Sequence, residues 1–172
     1  MADDILEFHA GRLLLLLMCC GTQSRELGQY RIDGLTKMAK LDFFVRYPQF
    51  FARVDSTLGE GTDLLTDTTE SAMVRYHYGP WDPRYYHLLA YLEGRRLISV
   101  TCASKGFCIA LTPTGAELAS RLQHDDAFTD LRQQMLRVKR VLGHRTGTAL
   151  KNLIYKTFDK EIAQRDVGEV ID

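Results

Sequence analysis

Five histidines (His9, His77, His87, His124 and His144) and four cysteines (Cys19, Cys20, Cys102 and Cys108) are the residues of this chain best suited to hold a metal or move protons. A metal-dependent hydrolase or nuclease gathers such side chains at fixed spacing, as in H-E-x-x-H or paired C-x-x-C, because the ligands must reach one ion together. Here the histidines stand singly, and the cysteines form neither C-x-x-C nor C-x-x-C-H, so they read as reduced, packed thiols. Gly59-Glu60-Gly61 has neither the spacing nor the lysine of a phosphate loop, and no G-x-S-x-G elbow occurs. The residues predict a chain that is not an enzyme, needs no metal or cofactor, and works by contact.

Contact chemistry concentrates between Trp81 and Lys105. Trp81 stands at the turn where a strand would meet a helix, and Arg84, Tyr85, Tyr86 and His87 lie near the start of that helix. Tyrosine and tryptophan supply large contact area at small entropic cost, which suits a protein partner. A DNA-reading helix would use Arg84, His87, Arg95 and Arg96, with Lys105 at the tip of a following hairpin on a phosphate or the minor groove. The same helix offers Tyr85, Tyr86, Ala90, Tyr91 and Glu93, few of the Arg, Asn and Gln side chains that read base edges, so protein contact is the favoured use.

Charge sharpens this reading. Lys plus Arg and Asp plus Glu both total 22, so the whole molecule has no positive excess with which to hold a polyanion. Locally the balance is uneven: Asp55, Glu60, Asp63, Asp67 and Glu70 form an acidic loop over 55–72 with no Lys or Arg. From Arg121 to Arg165 ten basic residues face five acids. Arg137, Lys139, Arg140, Arg145 and Lys151 are the candidate nucleic-acid contacts of that basic arm.

These residues need elements to position them. Asp3 or Asp4 can cap a helix running to about Cys20 that is apolar on nearly every side and therefore central. Its run from Leu13 to Cys20 is far short of the ~20 residues that span a bilayer, and the acids before it are wrong for a secretion signal, so a cytoplasmic protein is expected. Gly21 to Tyr30 reads as a polar connection. Asp33 can cap a second helix that buries Leu35, Met38, Leu41, Phe44 and Val45, turns Lys37, Lys40 and Arg46 elsewhere, and stops at Pro48. Gln49 to Val54 predicts one further helical turn before the acidic loop, and Glu60 to Ser71 an exposed, mobile connection.

Met73 to Tyr78 alternates as a short strand ended by Gly79-Pro80. Asp82 as N-cap and Pro83 at the first position start the next helix, which buries Tyr85, Leu88, Leu89 and Leu92 and ends near Glu93. Leu97–Thr101, a polar turn and Phe107–Leu111 make a hairpin, and Thr112-Pro113 starts a helix that returns Leu118 and Leu122 to the core. This order of helix, strand, turn, strand, helix matches the wing of a winged helix-turn-helix domain. Two amphipathic helices follow, about Ala127–Leu142 and Thr148–Ala163, whose stripes must dock on the domain, pair, or wait for a partner. The fold class predicted is α+β, mainly helical: a winged helix-turn-helix over 1–122 and a C-terminal basic helical extension over 123–172.

The segment from Arg75 to Tyr86 (RYHYGPWDPRYY), the Arg96-Leu97-Ile98 entry to the hairpin, and the stretch from Arg31 to Pro48 resemble the middle component of bacterial ABC-three-component defence systems, nearest to the small accessory subunit of Lamassu-type systems. The resemblance covers residues 31–48 and 75–115, less than half of the chain. It implies a non-catalytic winged-helix subunit that joins a dimeric SMC-like or Rad50-like ABC ATPase to an effector, commonly a nuclease, in anti-phage and anti-plasmid defence. DNA would be touched through the complex, with no membrane and no small-molecule substrate. The residues alone leave a second reading open, a winged-helix transcription regulator.

Overall fold

A computed structural model describes residues 5–25, 28–58, 73–76, 79–103, 106–158 and 170–171. Asp3, Asp4, His77, Lys105, the segment 59–72 and the stretch 159–169 lie outside the described residues. The architecture is α+β and mostly helical.

Helix α1 (Leu6–Cys20) is the centre. Every residue from His9 to Leu17 is buried, the leucines almost completely. A helix wrapped on all sides gains about 1.5–3 kcal/mol for each leucine removed from water. Its carbonyl end is finished by Lys139, whose Nζ donates to the Cys20 and Gly21 oxygens at 3.1 and 2.6 Å. Lys139 thus spends its charge on the negative pole of α1, and the expectation that it is a nucleic-acid contact is corrected on that ground.

The segment expected as a polar connection instead contains a small hairpin, β1 (Thr22–Gln23) with β2 (Tyr30–Asp33). Strand β2 pairs antiparallel with β6 (Gly106–Leu111), which pairs with β5 (Ile98–Ala103), so the sheet runs β1-β2-β6-β5. Asp33 sits opposite Cys108 in this ladder and caps nothing. The N-cap of α2 (Leu35–Arg46) is Gly34, whose φ of 98° favours glycine and whose amide donates to the Phe107 oxygen.

Helix α2 has no solvent face of the kind its lysines and arginine predict. It lies against α1, α3 (Pro48–Leu58), α6 (Thr129–Leu142) and α7 (Gly147–Thr157). Lys40 and Arg46 are therefore buried, at 1% and 0% exposure, where they were expected to point outward. Helix α3 runs to Leu58, well past the single turn predicted, and Asp55, read as the start of an acidic loop, is a buried residue inside it.

Strand β3 (Met73–Tyr76) pairs with β4 (Gly79–Trp81) and with β7 (Val170–Ile171). Gly79-Pro80 thus begins a strand of its own. Helix α4 (Tyr85–Gly94) buries Tyr85, Leu88, Leu89 and Leu92 as its spacing predicts. The β5–β6 hairpin keeps unbroken register from Ile98 opposite Leu111 to Ala103 opposite Gly106. Thr112 then caps α5 (Pro113–Leu122) by accepting the Gly115 amide, with Pro113 at the start. Ala119 is the residue of α5 that reaches the core, while Leu118 and Leu122 remain half-buried at the edge of a cleft.

The two last helices dock back. After a short 3-10 turn (Asp126–Phe128), α6 places Met135, Val138 and Leu142 against α1, and α7 places Leu150 and Ile154 against α2. Gln134 donates to the Phe44 oxygen at 3.0 Å, and Phe50 meets Phe158 edge to face at 4.8 Å. Their stripes join the same hydrophobic core as α1, α2 and α4. Among the described residues no helix is long and apolar enough to cross a membrane.

Candidate partner interface

The approach to α4 is held by charges that the sequence pattern hides. Arg12 of α1 donates from Nε and Nη2 to the two oxygens of Asp42 on α2, at 3.0 and 3.2 Å. The Tyr85 hydroxyl donates to the same carboxylate at 2.7 Å. One helical turn on, Arg46 donates to Asp82 at 2.8 Å, and Arg84 grips Asp82 from Nε and Nη2 at 3.0 and 2.8 Å. His9 lies between two guanidinium groups, with Arg12 at its Nδ1 and Arg84 at its Nε2. Arg12, Asp42, Arg46, Asp82 and Tyr85 are all at most 1% exposed.

Three helices and the β4–α4 turn therefore meet in one polar knot inside an apolar core. Such pairs add little net stability over a well-packed apolar alternative, since desolvating the ions offsets their attraction. What they do is fix geometry: each carboxylate has oxygens aimed at partners from different elements. Asp82 is not the N-cap predicted: α4 begins at Tyr85, with Arg84 as its N-cap and no side-chain cap. It takes the Arg84 amide at 2.9 Å, yet most of its acceptor capacity goes to Arg46 and Arg84 side chains.

Burial alone would raise the Asp82 pKa, but the Arg84 hydrogen bonds outweigh it and, with the nearby Arg46 charge, bring it down to about 2 from 3.8. The folded value lies below the unfolded one, so this carboxylate contributes stability that is present above about pH 4 and lost as pH falls toward about 2. The carboxylate thereby contributes about 2 kcal/mol at neutral pH. Chemical denaturation from about pH 6 down to about pH 3 should therefore show a loss that Asp82→Asn, already weaker at neutral pH, shows to a smaller extent. Equal slopes in the two proteins would remove Asp82 as a source of acid sensitivity. Tyr85 is shifted up, first by burial and then by the Asp42 charge.

The outer face of α4 is what this anchoring presents. Tyr86 is 65% exposed, and His87 and Ala90 are exposed beside it. Trp81 is half-buried, with its ring 5.1 Å from Tyr85 and 5.8 Å from Tyr86. Arg84 and His87 border a cleft of about 540 Å³ that also takes in Leu6, Ala90 and Tyr91. On the other side of Tyr91 an apolar cleft of about 580 Å³ runs between α1, α4 and α5, walled by Phe8, Leu14, Leu118, Leu122 and Phe128.

Of the five residues expected to meet a partner, four reach the surface: Trp81 and Tyr86 line one cleft, Arg84 and His87 another. Tyr85 does not: it is fully buried with its hydroxyl on Asp42, so it anchors the helix and is unavailable for contact. Arg95 and Arg96 are exposed at the far end of α4, Arg95 lying over the Tyr91 ring at 4.4 Å. Arg137 and Arg145 are half-buried and Arg140 is exposed, while Lys151 sits near Trp81 and Tyr86. The cysteines are free; Cys20 is buried and its thiol is raised by that burial, whereas Cys102 is exposed, contrary to the expectation that all are packed. Among the described residues no three of His, Cys, Asp and Glu gather to hold a metal.

The sequence reading missed His9, Arg12, Asp42 and Arg46. The available signal was Asp42 and Arg46 at i,i+4 around the apolar run Phe43-Phe44-Val45, and Arg12 directly before five leucines. Comparison with known proteins gives no match: no family model, no curated protein and no solved structure matches this chain.

Proposed function

We propose that this chain is a non-catalytic adaptor, a winged-helix subunit that bridges a dimeric SMC-like or Rad50-like ABC ATPase and an effector nuclease in anti-phage and anti-plasmid defence. The observation that carries the reading is α4: a helix locked from beneath by a buried ion network, with Tyr86 exposed on its outer side between half-buried Trp81 and exposed His87. Exposed aromatic anchors on a fixed helix are features of protein interfaces, where a few Trp, Tyr and Arg side chains carry most of the affinity. Among the described residues the order is α1, β1, β2, α2, α3, β3, β4, α4, β5, β6; the helix before the β5–β6 hairpin and the pairing of β2 with β6 support the winged-helix reading, with α3, β3 and β4 inserted between α2 and α4. The resemblance of residues 31–48 and 75–115 supplies the partners.

Co-expression with a coiled-coil ABC ATPase and nuclease from a Lamassu-type system tests this. Tyr86→Ala should fold normally and lower recovery of the complex by tenfold or more, since an interface anchor is worth about 2 kcal/mol or above. Unchanged recovery removes α4 from the interface. The isolated chain should bind duplex DNA only weakly and with steep salt dependence. Nanomolar, sequence-selective binding would instead make it a transcription regulator.

A further inference from the structure

The apolar cleft of about 580 Å³ between α1, α4 and α5 has walls that are set by packing. Phe8 stacks on Phe128 at 5.1 Å. Gly11 in the floor lets that ring come so near that an added Cβ would stand 3.0 Å from the Phe128 Cζ. Leu14 and Leu92 are buried behind, while Phe8, Tyr91, Leu97, Leu118 and Leu122 remain half-buried around the mouth. Large apolar side chains gathered half in water about one opening differ from the scattered single exposures of an ordinary surface and mark a place of contact.

The rim carries one acid and one base. Glu7 of α1 and Arg95 at the end of α4 both border the cleft and both are exposed. Among the described residues neither is joined to an opposite charge, and Arg95 rests over the Tyr91 ring at 4.4 Å. The neighbouring charges are already engaged: Glu117 and Arg121 of α5 pair with each other at 2.6 Å, and Glu93 accepts the Val100 amide at 3.0 Å. Directly before Glu7 stand Ile5 and Leu6, 50% and 39% exposed. One patch therefore holds a hole, an apolar knob beside it, and two unmatched charges of opposite sign. A partner charged with one sign would satisfy one of them and be repelled by the other. A second copy of the same patch satisfies both, because across a twofold axis residue i meets j while j meets i.

We propose that this cleft is the contact between two copies of the chain related by a twofold axis, with Ile5 and Leu6 of each copy against the other's cleft and Glu7 of each facing the other's Arg95. The inference does not use the adaptor reading, and Tyr86 lies off this cleft.

Sedimentation velocity on the isolated full-length chain over a range of concentrations should show a monomer–dimer equilibrium in the micromolar range. Arg95→Glu and Glu7→Arg each set like charges opposite one another twice over, so each should weaken self-association at least about tenfold. The double variant, Glu7→Arg with Arg95→Glu, makes the charges opposite again and should return to within about threefold of the parent, a recovery that a folding defect would not give. Leu6→Ser should weaken the dimer about tenfold with an unchanged circular dichroism spectrum, and Tyr86→Ala should leave the dimer as it is. A chain monomeric throughout, single reversals without effect, or a double variant no better than the singles would overturn the proposal. So would a dimer abolished by Tyr86→Ala, which would move the contact to the outer face of α4. A monomer that binds anilinonaphthalenesulfonate, and binds it more weakly as Arg95→Glu, would give the cleft to a small apolar anion and equally overturn it.

Discussion

Asp42→Ala should be the most damaging single polar substitution in this protein, costing about 3–5 kcal/mol. The change strands Arg12, fully buried, without its two-point carboxylate and takes the acceptor from the Tyr85 hydroxyl at the same time. Arg46, 3.8 Å from the same carboxylate, keeps Asp82 but loses half of its compensating charge. A domain holds only about 5–15 kcal/mol in total, so a loss of this size removes a large share of it. Urea unfolding monitored by Trp81 would register it as a lower midpoint at similar slope. Asp42→Asn, which keeps an acceptor and the volume, should fall between. A midpoint equal to the parent's would mean that the arginines find water or other partners when the carboxylate is gone, and the view of α4 as pinned from beneath would fail with it.

Gly115→Ala should be nearly as severe for a purely steric reason. A Cβ at 115 would stand 1.8 Å from the Leu97 oxygen and 2.8 Å from the Leu97 carbonyl carbon. Both are backbone atoms and cannot swing aside. The Leu97 oxygen is also committed: it accepts the Thr112 amide at 3.1 Å and the Thr112 hydroxyl at 3.1 Å. One added methyl would therefore push α5 off the entry to the β5–β6 hairpin and disturb the cap made by Thr112. Overpacking costs about 1–3 kcal/mol where side chains can adjust, so a loss of about 3 kcal/mol is expected here. Gly94→Ala is the matched control, because a Cβ there meets nothing within 4 Å, and it should change stability by less than about 1 kcal/mol. If the two alanine variants melt alike, the close approach of α5 to Leu97 is not a constraint on the fold.

Local signals carried much of the architecture. Thr112-Pro113, the glycine at 106 and the alternating runs around it make the hairpin and its cap readable, because turn and cap chemistry is decided within a few residues. The stripes of α4, α6 and α7 were readable for the same reason, since helical spacing needs no knowledge of the partner. What could not be read depends on distance. Arg12, Asp42, Arg46 and Asp82 are polar letters that a periodicity reading sends to solvent, and their burial follows from partners about 30–40 residues away. The two-residue strand β1 has no alternating pattern to detect and exists because β2 is there to pair with it. Gly34 displaced Asp33 as the start of α2 because Asp33 is held in register opposite Cys108. At the candidate interface the sequence could not tell neighbouring tyrosines apart: Tyr85 points in and Tyr86 out, one residue and about 100° of helix rotation apart.

Helix α1 touches α4, α5, α6 and β2, so the helix that carries Tyr86 and the helix that carries Arg137 and Arg140 are bolted to one axle. A body made this way transmits displacement without absorbing it. A push of an ångström on α4 arrives at α6 as a movement of the same block, since close-packed leucines neither compress nor slide. In the bridging role proposed above, that stiffness would turn a small shift in one neighbour into a shift felt by the other, with α1 as the strut.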